Sequence, residues 1–326
     1  VFKVKTVFLA LVASIATGFA FATLPKVASQ VPQALTDAVA DRQNVFGDVV
    51  WLPPQTSEET SEQAEKIYDN YVETVNLCWY SAGDEPQVLT INYSSYRVDA
   101  SKYVGKTLPF CVADYAKPTV LILHTHGSES YLASGCSGYN DDATFRSTNG
   151  DDGVVAVGRE MARVLRQNGI GVIHDETMYD LEDFNTSYTR SNKAVQDWLL
   201  QYPSIVCVID LHRDSIFTSD GQNQKPIVTL SGQDTAQIML VVGTDETGSG
   251  HPNWQQNLTF AANLQSTLNE LYPMLARPVN IRDWPFNQML CTGYLLVEVG
   301  SCGNTLQEAL NAATCLGNAL TSLLMK

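Results

Sequence analysis

The chain has 326 residues, enough for two domains or for one large domain with an appendage. At 44% hydrophobic and 17% charged it has a globular composition, which excludes wholesale disorder. Twenty Lys and Arg against 35 Asp and Glu leave a net charge of −15, so no nucleic-acid partner is expected and charge alone does not hold the chain to anionic lipid.

Lys3 and Lys5 precede a stretch without charge from Thr6 to Pro25, the pattern of an export signal. Ala20-Phe21-Ala22 offers a small-x-small cleavage site, and the same run is long enough to serve as an uncleaved anchor. Residues 1–25 are therefore expected to be a signal peptide or membrane anchor, with the rest of the protein extracytoplasmic, anchored or secreted. Residues 26–114 read as a linker and a small β-containing region, in which apolar and polar residues alternate over 88–98. Seven cysteines fit an oxidising space; none forms a CxxC pair, and their odd number leaves one thiol free in a monomer.

From residue 118 the rhythm becomes that of an α/β layer. An apolar run over 119–123 predicts a buried strand, and the spacing of Val154, Val157, Met161, Val164 and Leu165 predicts a helix closing at Asn168-Gly169. Strands are expected at 170–173, 205–209, 226–230, 237–242 and 294–299, and helices at 188–202, 258–271 and 305–324. This alternation predicts residues 115–326 to be one α/β domain, a mostly parallel twisted sheet flanked by helices.

Ligands in such sheets bind beyond the carboxyl ends of the strands. Three strands deliver unusual residues there: His124-Thr125-His126-Gly127-Ser128-Glu129, Asp210-Leu211-His212-Arg213-Asp214, and Glu298 within Leu295-Leu296-Val297-Glu298-Val299-Gly300. Three of the five histidines fall at two of these ends. HxxE spacing lets His126 and Glu129 converge on one ion, with His212 as a third ligand, a set suited to a catalytic Zn²⁺ with an open position. Glu298, ionisable in an apolar strand, is the expected general base. Each element has a structural alternative, since a DLH triplet or a strand Glu paired with Arg is common without catalysis. His124 is expected to orient a ligand or a turn, His174 to be a loop residue, and His251 to line the cleft or lie outside it.

Those three motifs, with Val242-Gly243-Thr244-Asp245, His251-Pro252-Asn253-Trp254, Phe286-Asn287-Gln288, Gly303-Asn304-Thr305 and Glu308-Ala309, resemble the motif series of the stage II sporulation protein P family over about residues 115–322. The resemblance implies a zinc-dependent, amidase-like peptidoglycan hydrolase with an accompanying cross-link endopeptidase activity. By it, His126 and His212 are metal ligands and Glu298 the catalytic glutamate, while the third ligand is Glu129 or else Asp151 or Asp152. The chain departs from the family at Trp284-Pro285-Phe286, where a basic-aromatic pair is usual.

The expected activity is cleavage of the amide between the muramic acid lactyl group and L-alanine of peptidoglycan, with membrane-bound wall-remodelling proteins as partners. Arg213 is expected to hold a stem-peptide carboxylate or a tetrahedral oxyanion, or else to form a salt bridge with Asp214 or another acidic residue. Tyr131, Trp254 and Asn287 are candidates for the groove. The rival readings are a zinc carboxypeptidase acting on wall peptides, with Arg213 or Arg282 as its carboxylate anchor, and a metal-free wall-binding scaffold.

Overall fold

The computed structural model describes residues 67–79, 87–248 and 250–326; the export segment and residues 26–66 lie outside the described residues. Three short strands come first, β1 (Asn70–Tyr71), β2 (Glu73–Val75) and β3 (Thr90–Asn92). They are followed by β4 (Pro118–Leu123), β5 (Gly138–Tyr139), α1 (Val154–Gln167), β6 (Gly171–His174), α2 (Ser187–Gln201) and β7 (Cys207–Asp214). Next are β8 (Gln224–Leu230), β9 (Gln233–Ala236), β10 (Ile238–Gly243) and α3 (Trp254–Leu271). β11 (Val279–Arg282), β12 (Tyr294–Ser301) and α4 (Leu306–Leu324) complete the chain.

Seven strands form the large sheet in the order β3-β11-β10-β12-β7-β4-β6. β12, β7, β4 and β6 run parallel. β10 pairs antiparallel with β12 and starts a second parallel run with β11 and β3. The expected mostly parallel sheet flanked by helices is present, built from two parallel halves that run in opposite directions. The carboxyl ends of β4, β7 and β12 therefore share one edge with the starts of β10 and β11.

Alternation along the strands sorts the two faces. Val120, Ile122, Ile209, Leu211, Leu240, Val297 and Val299 join the core formed with α1, α3 and α4. Leu121, Leu123, Val208 and Tyr294 pack instead with Val195 of α2. Each fully buried Leu or Ile contributes about 1.5–3 kcal/mol. A one-residue slip of β7 would turn Ile209 and Leu211 away from α1 and drive Asp210 and His212 into that apolar layer, so packing fixes the register that aims the polar residues.

The helices end where the sequence signals them. α1 closes at Asn168, with Gly169 taking φ +80° beyond it, a conformation that costs glycine little. α4 starts from a capping box in which Thr305 and Glu308 satisfy each other's backbone N–H groups. The strands before residue 114 build no sheet of their own. β3 extends the large sheet beside β11, β2 joins β8 and β9 in a three-stranded sheet, and β1 pairs with β5. From Asp69 onward the chain belongs to one compact unit. No described helix is long and apolar enough to cross a membrane.

Candidate active site

β4 ends at Leu123, and the turn that follows folds Glu129 back so that its N–H donates to His126 O at 3.1 Å. Glu129 is then pinned from two sides: Val154 N–H donates to its carbonyl, and Arg213 N–H donates to its Oε2 at 3.1 Å. On β7, Asp210, His212 and Asp214 share one face through the two-residue repeat. Glu298 of β12 sits directly opposite His212 in the β7–β12 register.

These placements bring His126, Glu129 and His212 together, all buried, with one ligand atom from each within 4.8 Å of the others. Glu129 Oε1 lies 3.9 Å from His126 Nδ1, and its Oε2 lies 3.5 Å from His212 Nδ1. The outer ring nitrogens are occupied. His126 Nε2 is 3.1 Å from Ser187 Oγ, and Ser187 gives its own proton to Phe184 O, so it accepts from the ring. His212 Nε2 lies 3.0 Å from Asp210 Oδ1, an electrostatic approach without good hydrogen-bond alignment. Both rings thus turn Nδ1 toward Glu129, and on His126 the Ser187 hydroxyl holds the proton on the far nitrogen, the arrangement a metal-binding histidine needs. Phe184 stacks on His126 at 4.3 Å, and the Arg146 guanidinium lies 4.8 Å from the Phe184 centroid, which fixes the ring's plane.

The electrostatics leave His126 neutral and His212 charged in the metal-free protein, so metal binding at His212 would displace a proton. Burial and the neighbouring His212 press His126 down to about 4, leaving it neutral near pH 7. Burial would raise Glu129, but His212 and Arg213 outweigh it and hold the carboxyl at about 2. Burial likewise opposes a charge on His212, yet Asp210 and Glu129 overcome it and push the imidazole well above its ordinary range. Asp210 is itself fixed by the Thr125 N–H and hydroxyl, at 2.8 and 2.6 Å. Two imidazoles and one carboxylate at this spacing, enclosed by protein, can hold a metal ion.

Glu298 stands beside this group without belonging to it. The residue keeps some exposed surface, but its Oε2 has none and no hydrogen-bond partner. Burial, then Asp214 and Glu129, push its carboxyl up to about 8 against the pull of His212 and Arg277.

The sequence model of the Stage II sporulation protein P family matches residues 52–321. The chain belongs to this family. Stage II sporulation protein P of Bacillus subtilis (strain 168) is 28% identical over 218 residues, 64% of this chain and 51% of that protein. The chain thus spans about half the length of that curated relative. Among solved structures, the catalytic domain of CwlV, an N-acetylmuramoyl-L-alanine amidase from Bacillus (Paenibacillus) polymyxa var. colistinus, aligns at 11% identity and TM-score 0.38, covering 64% of this chain and 98% of that one. The CwlD amidase of Clostridioides difficile, solved in complex with the GerS lipoprotein, aligns at 12% identity and TM-score 0.39, with the same coverage.

The other expected site residues are distributed unevenly. Arg213 turns its guanidinium to the protein frame: Nε donates to Ser130 O, Nη2 to Phe145 O, and Nη1 to Asp214 O and Ser215 Oγ. The Asp214 carboxylate pairs with Arg277 at 2.9 Å instead. Asp151 is a surface residue paired with Arg159, and Asp152 is exposed and accepts from Ser147, so neither joins the cluster. His124 and His174 meet under α1, with ring nitrogens 2.8 Å apart, and His124 Nδ1 donates to Leu211 O. Gly158 leaves them room, since a Cβ there would come within 2.6 Å of both Nε2 atoms. Tyr131 is buried, donating to Val299 O at 2.8 Å. His251 and Trp254 follow the carboxyl end of β10, which antiparallel pairing places on the edge away from Glu298. Asn287 is buried and ties its loop to α2 through Tyr188 O and Ser191. Asp210, Ser187 and Phe184, which set the ligand rings, carried no role in the sequence reading. Asp210 was legible in principle, two residues before His212 on the same strand face.

Proposed function

We propose that this protein is a zinc-dependent peptidoglycan hydrolase that cleaves the muramoyl–L-alanine amide, and also stem-peptide cross-links, in cell-wall remodelling such as sporulation engulfment. The carrying observation is the enclosed group of His126, Glu129 and His212, presenting two Nδ1 atoms and a carboxylate, with the unpartnered Oε2 of Glu298 beside it. Family membership supports the substrate class.

The residues fit Zn²⁺ by donor type and number, with the His126 tautomer preset, and three protein ligands leave a position for substrate or water. The chemistry a zinc ion supplies when bound is Lewis-acid polarisation of an amide carbonyl and of a nucleophilic water. Glu298 Oε2 takes the proton of the attacking water and passes it to the leaving nitrogen. In the metal-free protein burial and the neighbouring carboxylates push this carboxyl up to about 8, so it is largely protonated near pH 7, and a bound cation would draw it toward the ionised form that accepts a proton. Arg213 acts as a positioning residue: its backbone holds Glu129, and its guanidinium ties the 130 and 145 segments to the end of β7.

The carboxypeptidase alternative requires a free cation for a C-terminal carboxylate; the guanidinium of Arg213 is engaged, and Arg282, at the carboxyl end of β11, lies on the edge away from Glu298. The apolar N-terminal stretch behind Lys3 and Lys5 supports an extracytoplasmic, anchored or secreted location. Metal analysis of the purified protein and mass spectrometry of digested sacculi test the proposal together. One zinc per chain with free stem peptides is expected. Peptides trimmed only at their C-termini, or a metal-free protein without turnover, would overturn it.

A further inference from the structure

Beyond Glu298, the same edge of the sheet carries polar atoms that the proposed hydrolysis does not use. Arg277 lies two residues before β11, which runs parallel to β10, so its backbone enters the sheet at the edge where β4, β7 and β12 end. It is 9% exposed; Nη2 pairs with Asp214 Oδ2 at 2.9 Å, while Nη1 is buried without a partner. Three residues on, Asn280 is also 9% exposed, and its Oδ1 is buried without a partner. The Asn280 amide contacts Met239 Sδ at 3.7 Å, and Met239 lies directly opposite Glu298 in the β10–β12 register. His212, Glu298 and Met239 line up across β7, β12 and β10, and Asn280, in register with Val241 two residues along β10, reaches back to Met239 through its side chain. Buried donors and acceptors left unmade are costly, about 1–3 kcal/mol each, and such atoms on the edge of a catalytic carboxylate point to a ligand that completes them.

Charge decides what kind of ligand. Asp214 already balances the Arg277 cation, and the ionised Glu129 adds negative charge close by. An incoming carboxylate would meet like charge with no net positive field to hold it. What the site offers is a directional guanidinium NH2 donor and one carbonyl oxygen, which match the C=O and N–H of a neutral peptide unit. We propose that Arg277 Nη1 and Asn280 Oδ1 form a subsite that reads the main chain of the stem peptide beyond the scissile amide. This rests on the proposed reaction for its substrate. It makes Arg277 and Asn280 specificity residues that favour substrates carrying a peptide over those carrying alanine alone.

The test uses the zinc-loaded full chain and an N-acetylated wall stem peptide, prepared as the free acid and as the C-terminal amide, with binding followed by calorimetry. The two forms are expected to bind within a few-fold of each other. Arg277→Lys, which keeps a cation for Asp214, and Asn280→Ala are each expected to weaken the amide form about tenfold. The ratio of kcat/KM for a peptide-bearing muropeptide over an alanine-only one should fall by a similar factor, with zinc content and Tm checked on each preparation. Free-acid binding more than tenfold tighter, with that preference lost in Arg277→Lys, would make Arg277 a carboxylate anchor and overturn the proposal. An unchanged substrate ratio in both variants would also overturn it, showing that they act only through Glu298 or the fold. The comparison of acid with amide needs only wild-type protein, so it decides the ligand's chemistry even if a variant misfolds. Peptide binding sensitive to both variants, without cleavage of any muropeptide, would keep the subsite and refute the proposed reaction.

Discussion

Replacing Glu298 with Gln separates two consequences of one buried carboxyl. In the metal-free protein, burial and the carboxylates of Asp214 and Glu129 raise its pKa from 4.5 to about 8. A carboxyl raised in the folded state stabilises that state fully below the unfolded pKa, and the contribution is lost as pH rises through the folded pKa. Between pH 4.5 and 8 this one group therefore removes about 1.4 kcal/mol of stability per pH unit. At pH 7 the accumulated cost reaches about 3 kcal/mol, an upper bound because the residue keeps some exposed surface. Gln has nearly the same shape and no charge to desolvate. Metal-free Glu298→Gln should match wild type near pH 4.5 and exceed it by up to about 3 kcal/mol at pH 7, about 6–12 °C in Tm. With zinc bound, the same variant should retain the metal and lose about 10²–10⁴-fold in turnover, because an amide cannot accept the proton of water. Thermal melts of apo protein across pH, zinc content and muropeptide release on one preparation supply all three readouts. Zinc loss would make Glu298 a ligand. A variant less stable than wild type at pH 7 would show that the carboxyl is held by a favourable partner, and the electrostatic argument would fail.

His126→Ala and His212→Ala should each abolish bound zinc and turnover while circular dichroism shows the fold retained; one zinc per chain in both variants would remove the site as drawn. Asp210→Asn, which weakens the charge that holds the His212 ring, should lower zinc affinity about 10–100-fold in chelator competition, with no loss of the remaining ligands. Unchanged affinity would mean that packing alone orients that ring. On α1, Glu160 accepts from Arg163 and Thr314, each at 2.6 Å, and these contacts lower its pKa below 4.5 although burial opposes them. A lowered carboxylate stabilises above its unfolded pKa and loses that contribution as pH falls, so Glu160→Gln should cost about 0.5–1 kcal/mol at pH 7, a difference that closes in acid. A pH-independent difference in denaturant midpoint would assign the effect to packing.

What the sequence made legible follows from how each signal is encoded. α1 shows its helical period in its own residues, and Gly169 marks its end, so its limits are read directly. β4, β7 and β12 are apolar runs because both faces of the sheet are covered, and that burial makes His126, His212 and Glu298 stand out. β11 and β9 are four residues each and mixed in polarity, so no period of two develops before they end. β7 continues through Asp214 because its polar residues face the site while Leu211 stays in the core, a distinction that apolar runs alone do not carry. The reversed half of the sheet was hidden for another reason. The direction of β10 depends on a pairing with β12 more than fifty positions away, and nothing local records it.

Arg213, beside His212, and Arg282 were the arginines the sequence offered, and the hidden reversal brings Arg277 to the site edge instead. If every strand ran the same way, the residues after β10, including His251 and Trp254, would crowd the edge that carries Glu298, and the residues before β11 would lie far from it. With β10 and β11 reversed, the exchange is complete: His251 leaves and Arg277 arrives. Arg213, adjacent in sequence to a ligand, is bound to four oxygen acceptors of the surrounding frame. Arg277, distant in sequence from every ligand, keeps one buried donor unmade. Adjacency in the chain picks out residues that build the site, whereas the role proposed for Arg277 needs both its unmade hydrogen bond and its place on the edge of Glu298, since His251 Nε2 is equally unpartnered on the far edge.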